Sequence, residues 1–494
     1  MTTRWGTRSG DPLAADARLG EPTRPVAGEG DGRVRRAVVL IHGIGEQEPT
    51  GTLRGFLDGL GVGRAAWSKP DRLSDNLELR RMALYGRSSR RAPTDLYELY
   101  WAHHAPTSSA PQVLAWLGRL LRRRSGWAGG PAAPALNVLT LGLLLTVAVA
   151  ALIAVVMVSR EGVRAWLTQP PFWVAAGLAG AQAAVRPLLT RRLADAERYL
   201  TPDPSGVAAR TDIRTEGLEL MRRLHTSGVY DEIAVVGHSL GSVIGYDILR
   251  LFWDEARHPT FEKAGPQPEA ERLVHDYSDP LGLEAGEVEV FQHVQRRLWR
   301  ECRERGVPWL VTDFLTLGSP LAHGRLLLDT RASSLQRRQD DLELPMCPPM
   351  PSLAPSADAD ERSASFYPAV LRRGDLERTV LVGNHGAPFG PTRWTNLYFP
   401  ARWLAFGDPV GGPLRGVLGT GIRDVAVHHT GRHHPWWHRL LPLHDHLRYW
   451  DPLPGDGRRR ATTVECVPTI RAVLGLEPEP GTDQDLTGDR GDDR

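Results

Sequence analysis

An apolar run, Ile233-Ala234-Val235-Val236, passes directly into Gly237-His238-Ser239-Leu240-Gly241, and no other stretch of this chain restricts its fold so strongly. The residues that follow, Ser242 to Trp253, carry Val243, Ile244, Ile248, Leu251 and Phe252 at helical spacing. A buried strand that turns sharply into a helix, with a serine at the corner, is how a nucleophile is presented on an α/β sheet. Glycine two residues before and two after leaves room for a strained turn that a side chain would block. The pentapeptide alone is a weak signal, because glycine supplies 51 of the 494 residues. Its position between an apolar strand and an amphipathic helix gives it weight.

The length allows one large α/β domain with insertions, so core size sets no limit. A net charge of +2 gives no footprint for nucleic acid, and none is expected as a partner. Lysine occurs only at Lys69 and Lys263, so the basic residues are almost all arginine. Cys302, Cys347 and Cys466 are far apart and form no CxxC pair, which fits a reducing compartment and argues against disulfides or a cysteine-based zinc site. Met1 to Arg36 is polar, rich in Gly and Pro, and lacks the apolar core of a signal peptide.

Between these features lies a segment that reads as membrane-embedded. Ala135 to Val158 holds no charged residue, and 24 residues at about 1.5 Å each would span roughly 36 Å. Phe172 to Leu189 is interrupted by Gln182 and Arg186, yet Pro170-Pro171 marks its start and Ala176, Gly180 and Ala184 offer a small-residue face for helix packing. Arg119, Arg122, Arg123 and Arg124 precede the first segment, and Arg186, Arg191 and Arg192 close the second, which places both ends in the cytoplasm. The expected location is therefore the cell membrane, with two spans and a cytoplasmic catalytic domain. Val113 to Leu121 reads either as a surface-lying amphipathic helix or as a helix packed on the sheet.

The expected organisation is a disordered tail over 1–35, the first part of an α/β domain over 36–130, a transmembrane hairpin over 131–192, the second part of the domain over 193–476, and an acidic disordered tail over 477–494. Within it, Arg36 to Ile41 is an apolar strand ending in His42-Gly43-Ile44-Gly45, followed by a helix-like stretch from Gly51 to Gly59. Acyl transfer needs two backbone N–H donors for a tetrahedral oxyanion, one after the nucleophile and one on a loop following an early strand. Leu240 and Ile44 are the candidates.

Later strands are expected at Thr312 to Leu317, Trp394 to Phe399 and Asp424 to Val427. A triad in the chain order serine, acid, histidine needs a carboxylate on a loop after a late strand and a histidine beyond it. Asp408, in Gly407-Asp408-Pro409-Val410-Gly411-Gly412, meets the first need; Asp313 is a weaker candidate because it starts its strand, at the wrong edge of the sheet. His428, His429, His433, His434, His438, His444 and His446 crowd together, and His446 is preferred, with His444 next. No carboxylate sits at HExxH spacing among them, so neither a metal nor a cofactor is expected.

These islands resemble a serine hydrolase of the α/β-hydrolase superfamily, near the lipase and esterase branch that includes membrane-bound GPI-inositol-deacylase-like proteins. The resemblance is carried by His42-Gly43-Ile44-Gly45, Gly237 to Gly241, Gly318-Ser319-Pro320-Leu321, Asp408-Pro409, and His446 with Tyr449-Trp450. It implies a mostly parallel central sheet flanked by helices, a nucleophile at Ser239, an acid at Asp408, a base at His446, and cofactor-free hydrolysis of esters or thioesters. Ester or lipid substrates beside a bilayer are the expected partners. A scaffold that keeps the fold without catalysis, or an acyltransferase using the same acyl-enzyme, would have the same islands. The chain departs from the pattern in the expected hairpin and in two long polar or Pro-rich additions, Ala256 to Gly306 and Ser333 to Ser365.

Overall fold

Strands without polar alternation must be covered on both faces, and the central strands here are of that kind. The computed structural model describes residues 34–44, 48–73, 78–85, 93–104, 199–200, 204–328, 334–353, 363–401, 407–427, 445–450 and 466–476. In chain order the strands are β1 (Arg36–Ile41), β2 (Ala66–Pro70), β3 (Arg80–Leu84), β4 (Thr94–Leu99), β5 (Glu232–His238), β6 (Val311–Leu317), β7 (Ser352–Leu353), β8 (Ser363–Ala364), β9 (Phe366–Arg373), β10 (Leu376–Gly383), β11 (Arg393–Tyr398) and β12 (Arg423–Ala426). The principal helices are α1 (Gly51–Gly59), α2 (Pro204–Thr226), α3 (Leu240–Ala256), α4 (Pro268–Asp276), α5 (Val288–Glu304) and α6 (Cys466–Leu474).

Eight strands form one mixed sheet in the order β12-β11-β6-β5-β1-β4-β3-β2. The run from β12 to β4 is parallel, whereas β2, β3 and β4 pair antiparallel at one edge. Alternation along β1 sends Ala37, Val39 and Ile41 into one core, with α2, α3, α4 and α5, and Val38 and Leu40 into a second, with α1 and α6. Because the parallel strands share a direction, the loops leaving β1, β5, β6, β11 and β12 emerge at one edge of the sheet. The chain order reverses between β1 and β5, and the crevice at such a point is where α/β sheets hold ligands.

The expected fold class is corrected here. No helix among the described residues is long and apolar enough to cross a membrane, so the two-helix transmembrane hairpin is not part of the described fold. The longest helix among the described residues, α2, has 23 residues but carries Arg214, Glu216, Glu219, Arg222 and Arg223, which form ion pairs. Residues 131–192, where the hairpin was expected, and Val113 to Leu121 lie outside the described residues.

The additions read as polar segments hold regular structure. Within 256–306 the helix α5 buries Val288, Phe291, Val294, Leu298, Trp299 and Cys302, a helical stripe against the sheet. Within 333–365 the described residues hold the short helix Leu335–Asp340 and the antiparallel pair β7–β8, and after them the chain forms the antiparallel hairpin β9–β10, in which Arg373 pairs with Leu376 across a two-residue turn. Gly374 opens that turn at a φ of 59°, the left-handed region that tight hairpin turns require.

Candidate active site

Ser239 sits between the last residue of β5 and the first of α3, with φ 51° and ψ −126°. A non-glycine residue at positive φ is strained and persists only where its surroundings fix it. The fixing groups are visible. The Ser239 N–H donates to the Leu317 carbonyl at 2.9 Å, and the Ser239 carbonyl accepts from Ser242 N–H at 3.0 Å and from the Ser242 hydroxyl at 2.6 Å. The glycines of the pentapeptide are there for closeness: a Cβ on Gly241 would lie 2.2 Å from the Ile41 carbonyl oxygen, and one on Gly237 would lie 2.5 Å from Ser242 Cα.

The sheet edge brings the three expected side chains together. His446 Nε2 lies 2.8 Å from Ser239 Oγ, and His446 Nδ1 lies 2.8 Å from Asp408 Oδ2. Ser239 and His446 are 207 positions apart in the chain, and His446 and Asp408 are 38 apart. Ser239 is 3 % exposed, His446 5 % and Asp408 0 %, so the contacts form where water is scarce and electrostatic interactions are strong.

Asp408 is held as an anion. Burial alone would raise its carboxyl pKa, but the charge and hydrogen bond of His446, the Gly411 backbone and the Tyr449 hydroxyl bring it down to about 2. Tyr449 donates to Oδ2 at 2.7 Å, and the Val410 N–H donates to Oδ1 at 2.8 Å. With the ionised Asp408 accepting from Nδ1–H, the imidazole tautomer so selected has its lone pair on Nε2, 2.8 Å from the Ser239 hydroxyl.

The imidazole is also steadied through its own backbone. His238 donates from Nε2 to the His446 carbonyl at 2.9 Å. Burial, followed by the nearby His446, lowers the His238 pKa to about 3, so its ring is neutral and carries one N–H for this purpose. Gly318, at φ 59°, closes the far side: a Cβ there would lie 2.7 Å from Tyr449 Cε2, 2.8 Å from Asp408 Oδ2 and 3.0 Å from His446 Nδ1.

Of the two expected oxyanion donors, Leu240 is the first residue of α3, where backbone N–H groups have no intrahelical acceptor. Ile44 follows Gly43, whose position is so near Ser239 that a Cβ would lie 2.9 Å from Ser239 Cβ. The weaker acid candidate, Asp313, is elsewhere: it pairs with Arg393 at 2.8 Å near the start of β6. His444 and the other histidines of the cluster, His428, His429, His433, His434 and His438, lie outside the described residues.

Tyr449 and His238 both stand in the sequence motifs, which by themselves give neither a role. Tyr449 could have been suspected from its place three residues after His446, next to the short 3-10 turn Asp445–Leu447. His238 gives no such signal, because the carbonyl it holds is 208 positions away.

Comparison with known proteins adds nothing to this geometry: no family model, no curated protein and no solved structure matches the chain.

Proposed function

We propose that this protein is a serine hydrolase that cleaves carboxylic esters through an acyl-enzyme on Ser239. The observation that carries the reading is the continuous hydrogen-bonded line from Ser239 Oγ through His446 to Asp408, both steps at 2.8 Å. Ser239 Oγ attacks the substrate carbonyl carbon while His446 Nε2 takes its proton. Asp408 stays ionised, keeps the other proton on Nδ1 and stabilises the imidazolium that forms. The oxygen of the tetrahedral intermediate is placed for the backbone N–H groups of Leu240 and Ile44. Collapse expels the alcohol, which receives the proton from His446. Water then attacks the acyl-enzyme by the same route, and the carboxylic acid leaves.

The strained Ser239 backbone supports this reading, since such strain is kept where a side chain must be presented to a reacting group. The test is labelling of the purified protein with a fluorophosphonate probe, together with hydrolysis of p-nitrophenyl esters. Covalent labelling and turnover, both lost in Ser239→Ala, support the proposal. Absence of labelling in a folded wild-type protein would leave a non-catalytic binding protein. Labelling with preferential transfer of the acyl group to an added alcohol would make it an acyltransferase.

A further inference from the structure

At the same sheet edge, beyond the serine site, β4 is followed by Tyr100-Trp101 and the 3-10 turn Ala102–His104. We propose that His103, His104 and Glu216 bind a zinc-like divalent cation that ties the end of β4 to α2. This inference is independent of the chemistry assigned to Ser239.

Three donor groups of suitable kind converge there. One ligand atom from each residue lies within 4.8 Å of the other two. Glu216 Oε2 is 2.7 Å from His104 Nε2 and 3.6 Å from His103 Nε2. Zinc holds imidazole nitrogen and carboxylate oxygen at about 2.0–2.2 Å, so tetrahedral donors stand roughly 3.4 Å apart. The observed separations bracket that value, and small side-chain rotations would equalise them.

The histidines are also arranged as ligands. Their ring centroids are 3.9 Å apart, and His103 stacks on Tyr100 at 5.5 Å with an interplanar angle of 11°. His103 is further hydrogen-bonded to the Tyr100 backbone. A histidine held by a backbone carbonyl is a disposition also found among metal-bound histidines. His104 Nε2 is hydrogen-bonded to Glu216 Oε2 at 2.7 Å, and His103 Nε2 stands 3.6 Å from the same oxygen. A dication would take the place of that hydrogen bond and add a coordinate bond from His103. His103 is 43 % exposed, so an ion and completing waters have access from solvent.

The position gives the site a consequence. Trp101 stacks on His42 at 4.9 Å, donates its backbone N–H to His42 Nε2 at 3.2 Å and its indole N–H to the His42 carbonyl at 2.9 Å. A cation that fixes the turn after Trp101 therefore also fixes the loop leading to Gly43 and Ile44.

The experiment is calorimetric titration of metal-free full-length protein with zinc chloride, repeated on Glu216→Gln and on the milder, surface-exposed His103→Ala. Thermal melting with and without zinc is measured on all three. We expect one equivalent of zinc that is weakened by roughly tenfold or more in each variant. We also expect a zinc-dependent rise in melting temperature in the wild type alone. Identical binding in the wild type and both variants would assign any bound zinc to other histidines, such as those within 428–444, and overturn the proposal. So would a wild type that takes up no zinc.

Discussion

Tyr449 and His446 converge on one oxygen of Asp408: the phenol donates to Oδ2 at 2.7 Å and the imidazole Nδ1 lies 2.8 Å from the same atom. The phenol oxygen in turn accepts from the Phe399 N–H at 3.2 Å, which links the carboxylate to the end of β11. Two donors on one oxygen, with Val410 on the other, leave the carboxylate a single orientation.

Tyr449→Phe removes one hydrogen bond to a charged group, worth about 1.5–3 kcal/mol. The expected result is a fall of about ten- to a hundredfold in kcat/KM for p-nitrophenyl esters, with fluorophosphonate labelling slowed but retained. Steady-state kinetics check it. Unchanged kinetics would mean that Tyr449 only fills space.

Asp408→Asn keeps the shape but offers an amide where Nδ1–H needs an acceptor anion. The imidazole is then free to take the wrong tautomer, and kcat should drop by about 10⁴ while the melting temperature changes little. Parallel kinetics and melting curves separate a catalytic effect from an unfolding one.

Gly241→Ala should destabilise the protein strongly, because its Cβ would meet the backbone oxygens of Ile41 at 2.2 Å and His42 at 2.5 Å, and backbone cannot yield as a side chain can. We expect a loss of about 3 kcal/mol or more. Gly416→Ala is the control, since nothing lies within 4 Å of a Cβ there. It should be neutral or stabilising by up to about 1 kcal/mol. Urea unfolding of both variants measures the contrast.

Acid should unfold this protein over a defined window. Burial lowers the pKa of His42 to about 4 and of His225 and His238 to about 3, against 6.5 for a free imidazole. The fold holds these rings neutral, so their contribution is complete above pH 6.5 and is lost as pH falls towards 4. Glu98 acts in the opposite sense: burial raises its pKa from 4.5 to about 7, so its contribution is present at low pH and lost as pH rises through about 7. His323 is shifted the same way as these histidines by burial, and Glu301 and Asp424 the same way as Glu98; with the histidines shifted furthest, stability is expected to fall as pH drops from about 6 to about 5. Urea midpoints across that range test the sign.

Ser239, Asp408 and His446 were legible because each depends on local chemistry: a small-residue corner after an apolar strand, a carboxylate in a Gly/Pro loop, a histidine beyond the last strand. The same holds for β1 and β5, whose apolar runs Ala37 to Ile41 and Ile233 to Val236 are unbroken, whereas β6 and β11 mix apolar residues with Thr, Asp or Asn and are legible from the turn residues that follow them. The antiparallel edge was not legible. β2 reads Ala-Trp-Ser-Lys-Pro and β3 reads Arg-Arg-Met-Ala-Leu, short sequences without a clear strand pattern; β3 adds to the free edge of β4, and β2 in turn to the edge of β3. The stripe of α5 was present in the sequence but masked by its many charged residues. The choice of His446 from a crowd of seven rested on position alone, since what distinguishes it physically is a serine and an aspartate that only the folded sheet brings near.

The central strand β1 lies between β4 and β5, and its pairing with β5 joins residues separated by 196 positions, as the Arg36–Glu232 ion pair does. During synthesis a nascent chain therefore carries β1 with one edge unpaired until the 196 residues that separate Arg36 from Glu232 have followed it. Such late closure of distant strands is slow and exposes the chain to aggregation. Heterologous production should accordingly gain more from chaperone co-expression and low temperature than from any change at the surface of the finished molecule.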